Sequence, residues 1–298
     1  MVIVKLYGGL GNQLFQYALG RKIAAKNSAA LKLDVLTGFE NDFYRRKYCL
    51  AYFNIQERFA SLEEVTALTR PRMAERVRAK LLRRQPRAAR TYIRERNFHF
   101  DSHVLNLPDG IYLDGYWQSE KYFIDIQEII RKEFTVKTAL TDMNLKIAKD
   151  IIKTNSICIH VRRLQGISGD KVDGHAVKTH GSASLDYYYN AIKYFSDKYN
   201  ELHFFVFADE TEWAEDNIKP DAPTTYITHN ASDKGYEDLR LMSYCKHFII
   251  ANSTFSWWGA WLNPRKDKMV LAPNQWFGKE RQSSRKMDDL LPANWFVL

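Results

Sequence analysis

Cysteine is scarce in this chain: three residues in 298 (Cys49, Cys158 and Cys245), an odd number with no close pair. That excludes a disulfide framework and a cysteine zinc site, and it points to a reducing compartment. Long apolar runs are also lacking. No window approaches the roughly 18 consecutive apolar residues that a membrane-spanning helix needs. The apolar run at the N-terminus is too short for a signal peptide and is cut off by Gly8-Gly9. The expected location is the cytoplasm, with any membrane contact peripheral, at the inner face. Asp-x-Asp occurs nowhere, so the usual carboxylate bridge from a divalent metal to a diphosphate is missing, and neither metal nor cofactor is expected. His-Glu-x-x-His and Gly-x-Ser-x-Gly are absent too. No RNA-recognition, helix-turn-helix or zinc-finger signature is present, which argues against a nucleic-acid partner.

What the chain does have is a large core and a local charge excess. Hydrophobic residues make up 45% and aromatic residues 14%, which argues against disorder. The formal net charge is +9. Residues 70–96 carry ten Arg and one Lys against Glu75 and Glu95, an excess equal to the whole net charge, so the rest of the chain is balanced. Met73, Val77 and Leu81 recur at i, i+4 and i+8 within it. Part of the segment therefore reads as a basic amphipathic helix, either a solvated face or a contact with anionic lipid.

Along the chain, short β-rich runs alternate with helix-length amphipathic stretches. Val2–Tyr7 reads as a strand, Asn12–Lys26 as a helix and Ala29–Leu33 as a strand. Residues 118–133 and 141–154 read as helices. A second series follows, with strands at Ser156–Arg162, His203–Phe207, Thr224–Thr228, His247–Ala251 and Met269–Ala272, and helices at 184–199 and near 211–218. This alternation predicts an α/β fold of two Rossmann-like domains facing a cleft, residues 1–150 and 151–298, each a parallel sheet covered by helices. No internal repeat or low-complexity linker marks the boundary.

Four strand exits carry the chemistry. Gly8-Gly9-Leu10-Gly11-Asn12-Gln13 lies between strand and helix, where glycines permit positive φ and helix N–H groups can meet an anion. It is neither a dinucleotide fingerprint, since position 14 is Leu, nor a Walker loop. It is a ligand loop or a tight turn capped by Asn12. In His160-Val161-Arg162-Arg163, strand alternation sends His160 and Arg162 to one side and Arg163 to the other. Two arginines at a strand end suit bidentate phosphate binding. Asn252-Ser253-Thr254-Phe255-Ser256 precedes an aromatic helix, so its hydroxyls can cap that helix or hold a phosphate. Trp257, Trp258 and Trp261 read as packing residues. Phe207-Ala208-Asp209-Glu210 is the fourth exit.

Together these segments resemble glycosyltransferase family 11, the α-1,2-fucosyltransferases. Gly115-Tyr116-Trp117-Gln118-Ser119-Glu120-Lys121-Tyr122-Phe123, Asp186-Tyr187-Tyr188 and Leu241-Met242-Ser243 add to the match, which runs in order along nearly the whole chain. The resemblance implies a glycosyltransferase-B fold with the acceptor on the N-terminal side and the nucleotide held by the C-terminal half. It implies GDP-β-L-fucose as donor, the 2-hydroxyl of a terminal galactose as acceptor, and inversion. The acceptor would be a cell-surface glycan or O-antigen precursor, lipid-linked if residues 70–96 meet a membrane. Arg162 would stabilise the leaving diphosphate and Asn12 would face the fucose and phosphate. His160 would lie on guanine or ribose, and Asp209 or Asp238 would read the base. Gly9, Gly11, Arg163, Asn252, Ser253, Thr254, Phe255 and Ser256 would complete the donor site. The family pattern His-x-Arg-Arg-Gly-Asp-Tyr gives way here to Leu164-Gln165-Gly166. A base or acceptor contact would then come from Asp170, Asp173 or His180. The competing readings are a relative using another GDP-sugar or acceptor, and a catalytically weak GDP- or glycan-binding protein.

Overall fold

The computed structural model describes residues 1–70, 91–163, 181–278 and 287–298. These form two compact units, Met1–Glu133 and Phe134–Leu298. Each is an α/β unit built on a parallel sheet, as the alternation implies.

The first unit holds β1 (Val2–Lys5), β2 (Leu31–Asp34), β3 (Tyr92–Arg94) and β4 (Ile111–Asp114) in the order β2-β1-β4-β3, all parallel. Val2, Ile3 and Val4 are fully buried, which is why β1 is an unbroken apolar run rather than an alternating one. Helix α1 (Leu10–Lys26) returns over the sheet so closely that a Cβ on Gly20 would lie 2.9 Å from Leu31 Cδ1 and 3.2 Å from Val4 Cβ. A short helix α2 (Leu62–Thr69) begins with a capping box between Ser61 and Glu64. The helix expected over 118–133 is broken. Trp117 sits at φ 56, and two single 3-10 turns, Glu120–Tyr122 and Ile124–Ile126, precede α3 (Gln127–Glu133).

The second unit holds β5 (Asn155–Val161), β6 (Leu202–Ala208), β7 (Thr224–Ile227), β8 (His247–Ile249), β9 (Val270–Ala272) and β10 (Phe296–Val297). They run parallel in the order β10-β9-β8-β5-β6-β7. Its helices are α4 (Asp142–Lys153), α5 (Leu185–Lys198), α6 (Thr211–Asn217), α7 (Gly235–Met242) and α8 (Thr254–Leu262). Ile157, Ile159 and Val161 of β5 pack with Tyr188, Ala191 and Phe195 of α5 in one core cluster. Strand alternation therefore gives the opposite face to Cys158 and His160. Trp257, Trp258 and Trp261 of α8 are buried packing residues, with Trp257 and Trp261 stacked at 6.0 Å.

The division falls between residues 133 and 134, earlier than the expected 150. Two contacts explain it. Glu133 is tied back to α1, accepting from Tyr17 Oη at 2.7 Å and Arg21 Nε at 2.8 Å. Helix α4 instead buries Asn144, Ile147, Ala148 and Ile151, one helical face, and packs on β5 and α7. The strand order also reverses in each unit: at β1, between β2 and β4, and at β5, between β6 and β8. In open parallel sheets, ligands bind at the carboxyl ends of strands beside such a reversal.

Candidate active site

In the first unit the chain leaves β1 through Gly8 and Gly9. Gly8 has φ +76, and a Cβ there would lie 2.7 Å from Asn12 Nδ2. Gly8 is therefore the glycine this turn requires. Gly9 is the N-cap of α1 at φ −76, with nothing within 4 Å of a Cβ. The N-cap expected at Asn12 is thus corrected to Gly9: Asn12 is already the third helical residue, and its Oδ1 accepts from Gln118 Nε2 at 2.9 Å. Gly11 is buried in the first turn. Gln13, fully buried, donates to Gly8 O and Lys47 O, each at 2.9 Å, and accepts from Cys49 N at 2.8 Å. The turn is held from two directions by the side-chain amides of Gln13 and Gln118.

In the second unit three exits carry the candidate residues, at the carboxyl ends of β5, β6 and β8. His160 is 4% exposed, and burial pushes its pKa down to about 3, so the imidazole is neutral across the physiological range. Its Nδ1 has no hydrogen-bond partner among the described residues. Its ring lies 5.4 Å from that of Phe255. Arg162, on the same side of the strand, is 37% exposed in its side chain, and its Nε is 3.5 Å from Asp209 Oδ2. Asp209 Oδ1 accepts the backbone N–H of Arg163 at 2.8 Å. One carboxylate from β6 thereby fixes both the backbone after β5 and the guanidinium of Arg162. Arg163 goes the other way: its guanidinium lies 4.0 Å from the Trp213 ring, with its Nε 3.6 Å from Glu210. That contact set makes Arg163 a packing and charge-pairing residue between β5 and α6.

After β8, Ser253 is the N-cap of α8, and its Oγ accepts from Phe255 N at 3.3 Å. Thr254 opens the helix. Ser256 turns inward and donates to Ala251 O at 3.3 Å. Asn252 is buried and donates to Gly181 O at 3.0 Å and Trp276 O at 3.1 Å, which places its amide nitrogen in the scaffold of the loop. Asp238 lies on α7. A Cβ on Gly235, one turn earlier, would be 3.6 Å from the Phe255 ring, and residues three apart share a helix face. Burial first, then Cys245, then the Asp238 charge push the Cys158 thiol up. Gly235 on α7 and His160 on β5 both lie beside the Phe255 ring, so the start of α7 adjoins the His160 side of the site. Asp238 Oδ1 accepts from Asn230 Nδ2 at 2.7 Å. Burial raises its pKa to about 6, with the Glu237 charge adding to the rise and the Asn230 bond opposing it.

Asp170, Asp173 and His180 lie outside the described residues, as do 71–90 of the basic segment. Among the described residues no group of three or more His, Cys, Asp and Glu is placed to hold a metal ion, and no helix is long and apolar enough to cross a membrane.

The chain is similar to curated and solved proteins over most of its length. It is 32% identical over 308 residues to the α-1,2-colitosyltransferase of Escherichia coli, covering 99% of this chain and 98% of that one. It is 34% identical over 300 residues to the O-antigen biosynthesis glycosyltransferase WbnK of Escherichia coli, covering 95% and 97%. To human galactoside α-(1,2)-fucosyltransferase 1 it is 26% identical over 268 residues, 86% of this chain and 63% of that one. Among solved structures, the α-1,6-fucosyltransferase NodZ soaked with GDP-fucose superposes with a TM-score of 0.50 at 15% identity, covering 88% and 92%, a likeness of fold. The family model described as glycosyl transferase family 11 matches residues 1–298. With the strand ends, the arginine and the helix N-terminus arranged as above, the chain belongs to glycosyltransferase family 11.

Proposed function

We propose that this glycosyltransferase moves L-fucose from GDP-β-L-fucose to the 2-hydroxyl of a terminal galactose, with inversion, in a cell-surface glycan or O-antigen precursor. The observation that carries the reading is the grouping of Arg162, His160, Phe255 and the Ser253-capped start of α8 around the carboxyl ends of β5 and β8. A neutral imidazole beside an aromatic ring suits a nucleoside. A guanidinium held at Nε by Asp209 presents its outer nitrogens to a diphosphate.

Of the two candidate carboxylates, Asp238 is the better reader of guanine. Asp209 has Oδ1 on Arg163 N and Oδ2 beside Arg162, whereas Asp238 has only Oδ1 held, by Asn230. A carboxylate with an open oxygen accepts from N1–H and the 2-amino group.

The chemistry follows from charge. The acceptor oxygen attacks the anomeric carbon as the bond to the β-phosphate oxygen breaks. Positive charge develops on the sugar ring and negative charge on the departing GDP, while the hydroxyl proton passes to a base. Arg162 and the N–H groups opening α8 balance the leaving group without a divalent metal; one such preorganised donor is worth about 3–4 kcal/mol of barrier. Asp170, Asp173 or His180 would take the proton.

A second reading is favoured by the colitosyltransferase relative: a GDP-sugar lacking the 3-hydroxyl, transferred to the same position. Incubation with GDP-fucose and GDP-colitose in competition, against galactose-terminated acceptors, with and without EDTA, tests both. An α-1,2-fucosyl product by NMR, formed equally with chelator, supports the first reading. Turnover of GDP-colitose alone replaces it with the second.

A further inference from the structure

A polar network with a buried hub stands behind Asp238, drawn from three separate elements. Its hub is Asn144 on α4, 1% exposed. Asn144 Oδ1 accepts from His229 Nε2 at 2.7 Å and from Asn230 Nδ2 at 3.3 Å. Its Nδ2 donates to Asn230 Oδ1 at 3.1 Å and to Glu237 Oε2 at 3.4 Å. Glu237 is buried on α7 and paired with Arg240, whose other terminal nitrogen side reaches Thr138 O at 2.7 Å. Partial desolvation lowers the pKa of His229.

The two asparagines thus form a reciprocal amide pair, each donating to the other. Such a pair fixes which end of each amide points where. With Asn230 Oδ1 occupied by Asn144, its Nδ2 is the group turned towards Asp238, and it holds Asp238 Oδ1 at 2.7 Å. Without the Asn144 bond, the Asn230 amide can rotate, and its carbonyl oxygen would then face a carboxylate, a repulsive arrangement. A reciprocal amide pair anchored on a buried asparagine selects one conformation rather than several.

We propose that Asn230, oriented by Asn144, is the positioning residue for Asp238, and that this pair sets how well the enzyme distinguishes a guanine nucleotide from purines lacking the 2-amino group. The inference rests on the donor reading given above. It adds to that reading two residues that touch no substrate and act through a third.

Calorimetric binding of GDP, IDP and ADP to the full chain tests it. IDP lacks only the 2-amino group, so the GDP-to-IDP affinity ratio isolates one hydrogen bond to a charged acceptor. The wild-type ratio is expected to be about 10- to 100-fold. Asp238→Asn should reduce it to within about threefold, and Asn230→Ala should do nearly the same. Asn144→Ala should move it in the same direction, and the Asn144→Ala/Asn230→Ala double variant should lose little beyond Asn230→Ala, because the two act in series. Asn230→Ser serves if Asn230→Ala does not fold. A proportional loss of GDP, IDP and ADP affinity, with the ratio unchanged, would show a merely structural role and overturn the inference. A ratio unaffected by Asp238→Asn would overturn it too, while leaving the donor reading standing. No binding of GDP to the wild type would overturn both.

Discussion

Gln118 Nε2 donates to Asn12 Oδ1 at 2.9 Å, and this bond turns the amide nitrogen of Asn12 towards Gly8. The Gly115-Tyr116-Trp117-Gln118 segment after β4 thereby reaches the turn after β1, its neighbour in the sheet. Gln118→Glu leaves only acceptors at that place and should invert the Asn12 amide. Turnover is then expected to fall about tenfold, the cost of roughly one misdirected hydrogen bond, with little change in melting temperature. Steady-state kinetics beside thermal unfolding measure both. Unchanged turnover would remove Asn12 from the reaction.

Gly8 and Gly9 should differ sharply although they are adjacent. Gly8→Ala forces a side chain into φ +76 and against Asn12, and should cost about 1–2 kcal/mol or more. Gly9→Ala meets open space at an ordinary φ and should stay within about 0.5 kcal/mol of wild type. Urea unfolding of the two variants compares them directly, and equal losses would contradict the turn geometry.

Arg162→Ala should lower turnover by about 100- to 1000-fold, the loss seen when one preorganised donor to developing negative charge is removed. Arg162→Lys keeps the charge without the fork and should fall between. Asp209→Asn removes the anchoring charge and should also lower kcat, by a smaller factor. Activity of Arg162→Ala within threefold of wild type would assign the leaving-group role elsewhere.

The donor's KM should depend on pH through Asp238. Its folded pKa is raised to about 6, so it is ionised above that value and protonated below. A protonated carboxyl is the poorer acceptor for N–H groups. The KM for GDP-fucose is therefore expected to rise as pH falls through 6, and Asp238→Asn should flatten that dependence. The same shift has a sign for stability: a buried acid with a raised pKa opposes folding once ionised, above pH 6. Asp238→Asn should accordingly weaken donor binding without lowering the melting temperature at pH 8.

The basic segment of residues 70–96 makes a separate prediction. If the acceptor is lipid-linked, Arg83→Glu/Arg84→Glu should reduce flotation with anionic liposomes and leave turnover on a soluble acceptor unchanged. Equal flotation of variant and wild type would assign the charge to a solvated face.

Local chemistry made much of this molecule legible before folding. Val2–Val4 is apolar without alternation because β1 is covered on both faces, and Leu14, Phe15, Ala18, Leu19 and Ile23 recur at the helical period because α1 lies on that sheet. Strand ends followed by Gly-Gly, Arg-Arg or Ser-Thr-Phe-Ser mark where a parallel sheet meets its ligand. The short β3 and β4 were not visible, and neither was α7.

Other features needed the tertiary structure, because they depend on partners far apart in the chain. Asp209 and Asp238 are equivalent as letters; only folding brings one beside Arg162 and the other beside Asn230. Arg162 and Arg163 are adjacent and identical, yet strand alternation and Trp213 send the second into packing. Asn144 and Asn230 lie 86 positions apart, and nothing local distinguishes them from surface asparagines. Amino-acid type and spacing determined the α/β fold and the strand exits that carry the site. Burial and long-range hydrogen bonding decided which polar groups there are anchored and which are turned towards a ligand.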